Sequence, residues 1–155
     1  MESHGSVSTH IRDRAAVITF GHPKSNSLPS KLLKNLTEEF NKLSANNSVS
    51  VIVLKSEGTT TFCGGASFDE LLKLKDLKQS REFFMGFANL INAMRTCSKF
   101  IVTRVQGKAV GGGVGIIAAS DYVFATNISH IKLSELSIGI GPFVVGPAVE
   151  RKIGK

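Results

Sequence analysis

Phe100-Ile101-Val102-Thr103-Arg104-Val105-Gln106-Gly107-Lys108-Ala109-Val110-Gly111-Gly112-Gly113-Val114-Gly115 is the stretch on which the fold turns. Phe100 to Val105 is a short apolar, β-branched run, the signature of a buried strand. Gly107 to Gly115 cannot continue it and reads as a glycine-rich turn. Ile116 to Ser120 then reads as helix and Tyr122 to Ala125 as the next strand, with His130 to Leu133 as a further candidate. Upstream the same order recurs: strand Val49 to Leu54, turn Thr59 to Gly65, helix Phe68 to about Lys78. A third helix, Arg81 to Met94, carries Phe83, Phe84, Phe87, Leu90, Ile91 and Met94 on one side, a stripe that reads as core. At the N-terminus, two strands turn around Asp13-Arg14, and His22 to Ser27 is a loop. A helix from about Pro29 to Leu43 follows, with Leu32, Leu33, Leu36, Phe40 and Leu43 at helical spacing. Strands alternating with helices across short turns predict an α/β fold with right-handed crossovers. No repeat or linker divides residues 1–155, which read as a single domain.

Composition narrows the function. A chain with 42% hydrophobic and 20% charged residues is too apolar for disorder. Its longest apolar runs, such as Val51-Ile52-Val53-Leu54, are far too short for a membrane span, and the polar Met1 to His10 shows no secretory signal. Cys63 and Cys97 stand far apart without CxxC spacing, consistent with an intracellular, cytoplasmic protein and no metal. His4, His10, His22 and His130 have no ligand spacing either. The net charge of +7 suits a phosphorylated ligand. The bases are scattered, however, and with no Trp and one Tyr a nucleic-acid platform is not expected.

Two glycine clusters occupy strand–turn–helix junctions: Phe62-Cys63-Gly64-Gly65-Ala66-Ser67 and Ala109-Val110-Gly111-Gly112-Gly113-Val114-Gly115. A helix starting at such a turn points unpaired N–H groups and the positive end of its dipole outward. Glycine lets a ligand oxygen approach those donors closely. One cluster is explained by tight turns and close packing alone; two with the same placement suggest an oxyanion hole with one N–H from each. Other glycine chemistries fail. No GxGxxG opens a βα unit, Gly141 to Gly146 continues with Pro147-Ala148 instead of Lys-Ser/Thr, and Gly65-Ala66-Ser67 lacks the trailing glycine of a nucleophile elbow.

These clusters resemble the two signatures of the crotonase, or enoyl-CoA hydratase/isomerase, superfamily. His22-Pro23-Lys24-Ser25-Asn26-Ser27-Leu28 is similar to its early coenzyme A loop. Ser134-Glu135-Leu136-Ser137-Ile138-Gly139-Ile140-Gly141-Pro142 is similar to the segment that delivers an acidic catalytic residue. The four motifs stand in the family's order. The resemblance implies a spiral of ββα units, with the family's C-terminal helical region missing from this chain. It implies an acyl-CoA thioester substrate, no cofactor beyond the coenzyme A of that thioester, and a homo-oligomer, trimer or hexamer. By position it assigns Gly64 and Gly112 to the oxyanion hole, Pro23, Lys24, Ser25 and Ser27 to the coenzyme A loop, and Ala66 to the adenine-side turn. Glu135 becomes the catalytic acid/base, flanked by Leu133, Leu136 and Ile138.

Two positions depart from the family pattern. Gly115 stands where family hydratases carry a first glutamate, and Ser67 stands where an aspartate is common, in a setting that suits a helix N-cap. One carboxylate with an oxyanion hole suffices to move a proton, so the expected activity is double-bond isomerisation of an enoyl-CoA. The alternatives are a hydratase that recruits another acid, a thioester hydrolase or decarboxylase, and a non-catalytic coenzyme A- or RNA-binding relative.

Overall fold

A computed structural model describes residues 5–154. The first four residues of the polar N-terminal segment, His4 among them, and Lys155 lie outside the described residues. The chain opens with strands β1 (Ser6–Arg12) and β2 (Ala15–Gly21), paired antiparallel from Ser6↔Gly21 to Arg12↔Ala15. The two residues between them, Asp13 and Arg14, both adopt positive φ (49° and 65°). That is the primed turn whose twist matches a two-residue hairpin.

Helix α1 (Ser30–Ser44) buries Leu32, Leu33, Leu36, Phe40 and Leu43, the stripe expected from spacing. Each such side chain contributes about 1.5–3 kcal/mol through burial. Pro29 precedes the helix and has no side chain to cap it. Glu70 supplies the cap from a distant segment, its Oε2 accepting from Ser30 N–H (2.9 Å) and Ser30 Oγ (2.6 Å). A carboxylate is favourable at the positive end of a helix.

From Val51 onward the chain advances in a repeating order of two strands and a helical segment. Strands β3 (Val51–Ser56) and β4 (Thr61–Cys63) lead to α2 (Phe68–Leu71) and α3 (Leu77–Arg95). Strands β5 (Phe100–Val105) and β6 (Lys108–Val110) lead to α4 (Gly112–Ala119). Strands β7 (Tyr122–Ala125) and β8 (Ile131–Lys132) lead to a 3₁₀ turn, Glu135–Ile138, and to α5 (Gly146–Ile153). The first strand of each pair joins one sheet, ordered β1-β2-β3-β5-β7, and the second joins another, ordered β4-β6-β8. All pairs after β1–β2 are parallel. This is the ββα progression expected from the motifs.

The core lies between the larger sheet and helices α1 and α3, which pack on each other. Phe20, Phe40, Phe62, Ile18, Ile52, Leu54 and Leu90 are fully buried there. Strand β3, whose apolar run reads as a fully buried strand, alternates instead: Ile52 and Leu54 are buried, while Val51 and Val53 are half-buried. The apolar run could not reveal that the helices cover one face more completely than the other.

Element boundaries differ most between the glycine clusters. The helix expected from Phe68 to about Lys78 stops at Leu71. Asp76 then caps the next helix, its Oδ1 accepting from Gln79 N–H at 2.8 Å, so α3 begins at Leu77 and not at Arg81. In the second cluster, Lys108 to Val110 form a strand and the helix begins within the glycines, at Gly112. Helix α5 had no counterpart in the sequence expectations. Among the described residues, no helix is long and apolar enough to cross a membrane.

Candidate active site

The two glycine turns meet because the strands before them are neighbours: β4 pairs with β6 through Thr61↔Lys108 and Cys63↔Ala109. Strand β8 lies on the other side of β6, and Gly111 N–H donates to Lys132 O at 2.9 Å. That pairing carries the following residues, Ser134 and Glu135, onto the second glycine turn. Gly111 sits at φ 53°, ψ −117°, a conformation open to glycine. A Cβ on it would stand 3.3 Å from Glu135 Oε1.

Between the two turns lies a cavity of about 450 Å³. Its walls are Gly64, Gly65, Ala66, Gly111 and Gly112 on the turns, Phe68 and Leu71 on α2, Phe83, Phe84 and Phe87 on α3, Ser134, Glu135 and Ile138, and the segment Ile140 to Val145. Glu135 is the only titratable group among the described residues that line it. Its Oε2 is buried, and none of the described residues donates to it. A buried acceptor left unpaired costs about 1–3 kcal/mol or more, so such atoms are rare and concentrate at functional sites.

The first turn corrects one expectation. Gly64 N–H donates to Ser25 O at 2.9 Å and is not open to a ligand. The next residues form a parallel bridge with the loop: Leu28 N–H donates to Gly65 O (2.8 Å) and Ser67 N–H to Leu28 O (3.3 Å). In a parallel bridge the middle residue directs its own N–H away from the partner strand. Ala66 N–H is therefore turned from the loop, and no described residue accepts from it. Ala66, assigned to the adenine side by resemblance, lines the apolar cavity.

The second turn holds Gly112. It is the first residue of α4, its N–H has no acceptor among the described residues, and it lines the cavity. A side chain there would overlap the Phe87 ring. Gly113 is backed by Cys63, whose Cβ would lie 2.7 Å from an added Cβ. Burial pushes the Cys63 thiol up to about 12 despite a Gly65 N–H contact at 3.4 Å, so it stays protonated and inert. Gly115 is absent from the cavity wall: a Cβ there would meet Val145 Cγ1 at 2.7 Å and Ile91 Cδ1 at 2.9 Å.

The loop from His22 to Leu28 lies beside the first turn but opens on a different space. Pro23 and Ser25 line a wide cleft of about 660 Å³ with Gly5, Ser6, Gly21, Glu57 and Thr61. Asn26 pins the loop from within, its Nδ2 donating to Glu57 O and Thr61 O, both at 2.8 Å. Ser27 Oγ is 3.1 Å from His22 Nδ1. Lys24 pairs with Asp69 of α2, and its ammonium holds the Asp69 carboxyl below the usual range. Ser67 caps α2, its Oγ accepting from Glu70 N–H at 3.4 Å.

Phe83, Phe84 and Phe87, whose stripe reads from sequence as core, also wall the cavity. Their 83/84/87 spacing on one helix was visible; what faced them was not. Phe143, Val144 and Val145 were not singled out, because periodicity is lost between the 3₁₀ turn and α5.

A family model for enoyl-CoA hydratase/isomerase matches residues 10–155. Enoyl-CoA hydratase AKT6-1 of Alternaria alternata is 33% identical over 99% of this chain and 51% of its own length. The mitochondrial 3-hydroxyisobutyryl-CoA hydrolase of Rattus norvegicus is 29% identical over 99% of this chain and 43% of its own. Among solved structures, a Legionella pneumophila protein described as an enoyl-CoA hydratase/isomerase, or crotonase, superposes with TM-score 0.90 at 28% identity, covering 99% of this chain and 60% of that one. The chain spans about half the length of the curated relatives it matches. With the motifs in order, the ββα progression in place and the family model covering nearly the whole sequence, the chain belongs to the enoyl-CoA hydratase/isomerase family.

Proposed function

We propose that the chain acts on an acyl-CoA thioester and moves the double bond of a 3-enoyl-CoA to the 2-position. The observation that carries this reading is Glu135: a single carboxylate in an apolar cavity, with one buried oxygen unpaired, facing two turns that each present an unpaired N–H. Ala66 N–H and Gly112 N–H donate to the thioester oxygen. Glu135 takes a proton from C2, the C–H electron pair moves into the carbonyl, and the resulting enolate rests on the two donors. The protonated carboxyl then returns its proton at C4, leaving the double bond between C2 and C3. Each oxyanion donor is worth about 2.7–4 kcal/mol in such sites. A well-placed acid/base adds about 10²–10⁴-fold. Pro23, Lys24, Ser25 and Ser27 are proposed to receive the coenzyme A moiety, with Pro23 and Ser25 standing in the wall of the wide cleft.

A second reading, thioester hydrolysis, draws on the name of the rat relative and uses the same oxyanion donors, with water attacking the carbonyl. A product screen separates the two. The purified protein is offered 3-enoyl-, 2-enoyl- and 3-hydroxyacyl-CoA thioesters, with conjugated thioester absorbance and free coenzyme A thiol followed in parallel. Conjugation without thiol release supports the isomerase. Thiol release from a 3-hydroxyacyl-CoA replaces it with the hydrolase, and hydration of a 2-enoyl-CoA as the main reaction replaces it with the hydratase.

A further inference from the structure

The place where a side chain at position 115 would stand is already filled. Gly115 follows Gly112 by one turn of α4. A Cβ on it would collide with Val145 Cγ1 at 2.7 Å and Val145 Cβ at 3.1 Å, and with Ile91 Cδ1 at 2.9 Å. Ile91 can rotate its terminal methyl away, but Val145 offers a β-branched stem with little freedom at χ1. Val145 is 3% exposed, stands at the start of α5 and lines the cavity that holds Glu135. The two positions are complementary in size: the missing side chain on α4 admits the valine from α5.

We propose that Gly115 and Val145 form an interlocking pair that determines reaction specificity, by closing the α4–α5 side of the cavity to water and to any second acid. The inference rests on the reading of this cavity as an acyl-CoA site, and it adds a residue to that reading. Val145 makes that side of the wall apolar, and of the two polar side chains that line the cavity, Ser134 and Glu135, Glu135 is the one carboxylate that can take a proton from the substrate. An ordered water needs two to four polar partners, and a methyl-lined wall provides none. The pair thereby favours return of the proton to carbon over addition of water. It also explains why an acid at position 115 alone would not create a hydratase: the space its side chain needs belongs to Val145.

The test has a structural arm and a catalytic arm. In the structural arm, a double-mutant cycle is measured by thermal melting. Gly115→Ala should lower the melting temperature clearly in the Val145 protein and by less than half as much in a Val145→Gly background. Equal losses in both backgrounds overturn the interlock. In the catalytic arm, 2-enoyl-CoA hydration is compared with 3-enoyl-CoA isomerisation for the starting protein, Val145→Ala, Val145→Gly, Gly115→Glu, and the combination of Gly115→Glu with Val145→Gly. The ratio of hydration to isomerisation should rise with the smaller residue at 145, reach at least about tenfold in the combination, and stay flat or be lost with Gly115→Glu alone. A folded combination variant with no gain in hydration overturns the specificity role, as does efficient hydration by the starting protein. Failure of the underlying isomerase reading looks different: no 3-enoyl-CoA is converted by the starting protein, while coupled melting and variant-only hydration still support the pair.

Discussion

The two glycine turns look alike in sequence and are used differently. In the first, residues 64–67, Gly64 N–H is consumed by Ser25 O, and the open donor belongs to Ala66. In the second, residues 111–115, the turn residue Gly111 bonds to Lys132 O and the open donor is Gly112. The first turn is stitched to a loop by a parallel bridge, which alternates the direction of successive N–H groups. The second is the start of a helix, where the first donors have no intrahelical partner. Glycine content marks where a backbone approaches something closely. It does not say whether that something is a ligand or another piece of chain.

The sharpest way to break this comparison is at the group both turns face. Glu135→Gln keeps the shape of the side chain but accepts no proton, so turnover should fall about 10²–10⁴-fold while acyl-CoA binding persists. Steady-state rates together with calorimetric titration measure this, and near-unchanged turnover would remove Glu135 from the chemistry. Next comes the first turn itself. Replacing the backbone amide of Ala66 by an ester deletes its N–H, weakens Gly65 O as the acceptor for Leu28 N–H, and should reduce kcat about 10²–10³-fold. The same replacement at Gly64 should instead weaken folding by about 0.5–1.5 kcal/mol, the worth of its bond to Ser25, with kcat little changed. If the Gly64 ester is the catalytically damaged one, the assignment of the donor to Ala66 is wrong.

On the second turn, Gly112→Ala drives a methyl into the Phe87 ring. Overpacking of this kind destabilises by about 1–3 kcal/mol, so denaturant unfolding should show the loss even though the N–H is retained. The smallest effect concerns Cys63, which backs Gly113. Its pKa is raised on folding, so its neutral form contributes stability that is present below the thiol's ordinary value of 9.0 and lost progressively toward about 12, as the unfolded chain ionises first. Cys63→Ala should flatten that alkaline decline. At pH 8, a thiol reagent should modify the half-buried Cys97 well before the buried Cys63; equal rates would show that the contact between the two turns opens readily.

Part of this architecture was legible in advance. The hairpin at Asp13-Arg14, the stripe of α1, and the strands at 100–105 and 122–125 each rest on a local pattern whose period or turn chemistry has one structural reading. Glu135 and Gly112, which the family resemblance singles out, line one cavity. The short strands at 61–63 and 108–110 were hidden, because three residues of strand exist only by virtue of their neighbours in the second sheet. The early stop of α2 was hidden as well, since it depends on Asp76 capping the next helix.

The sequence by itself determined the alternation of strands and helices, the two glycine turns and the single acid of the later segment, because these follow from hydrophobic period, backbone freedom and residue type. Tertiary structure alone decided which N–H on the first turn stays open, that the phenylalanines of α3 wall a cavity as well as a core, and that Val145 fills the space above Gly115. The reason is physical. A side chain's chemistry is carried by its own residue, whereas an unpaired donor or a filled volume is a property of whatever the rest of the chain places beside it.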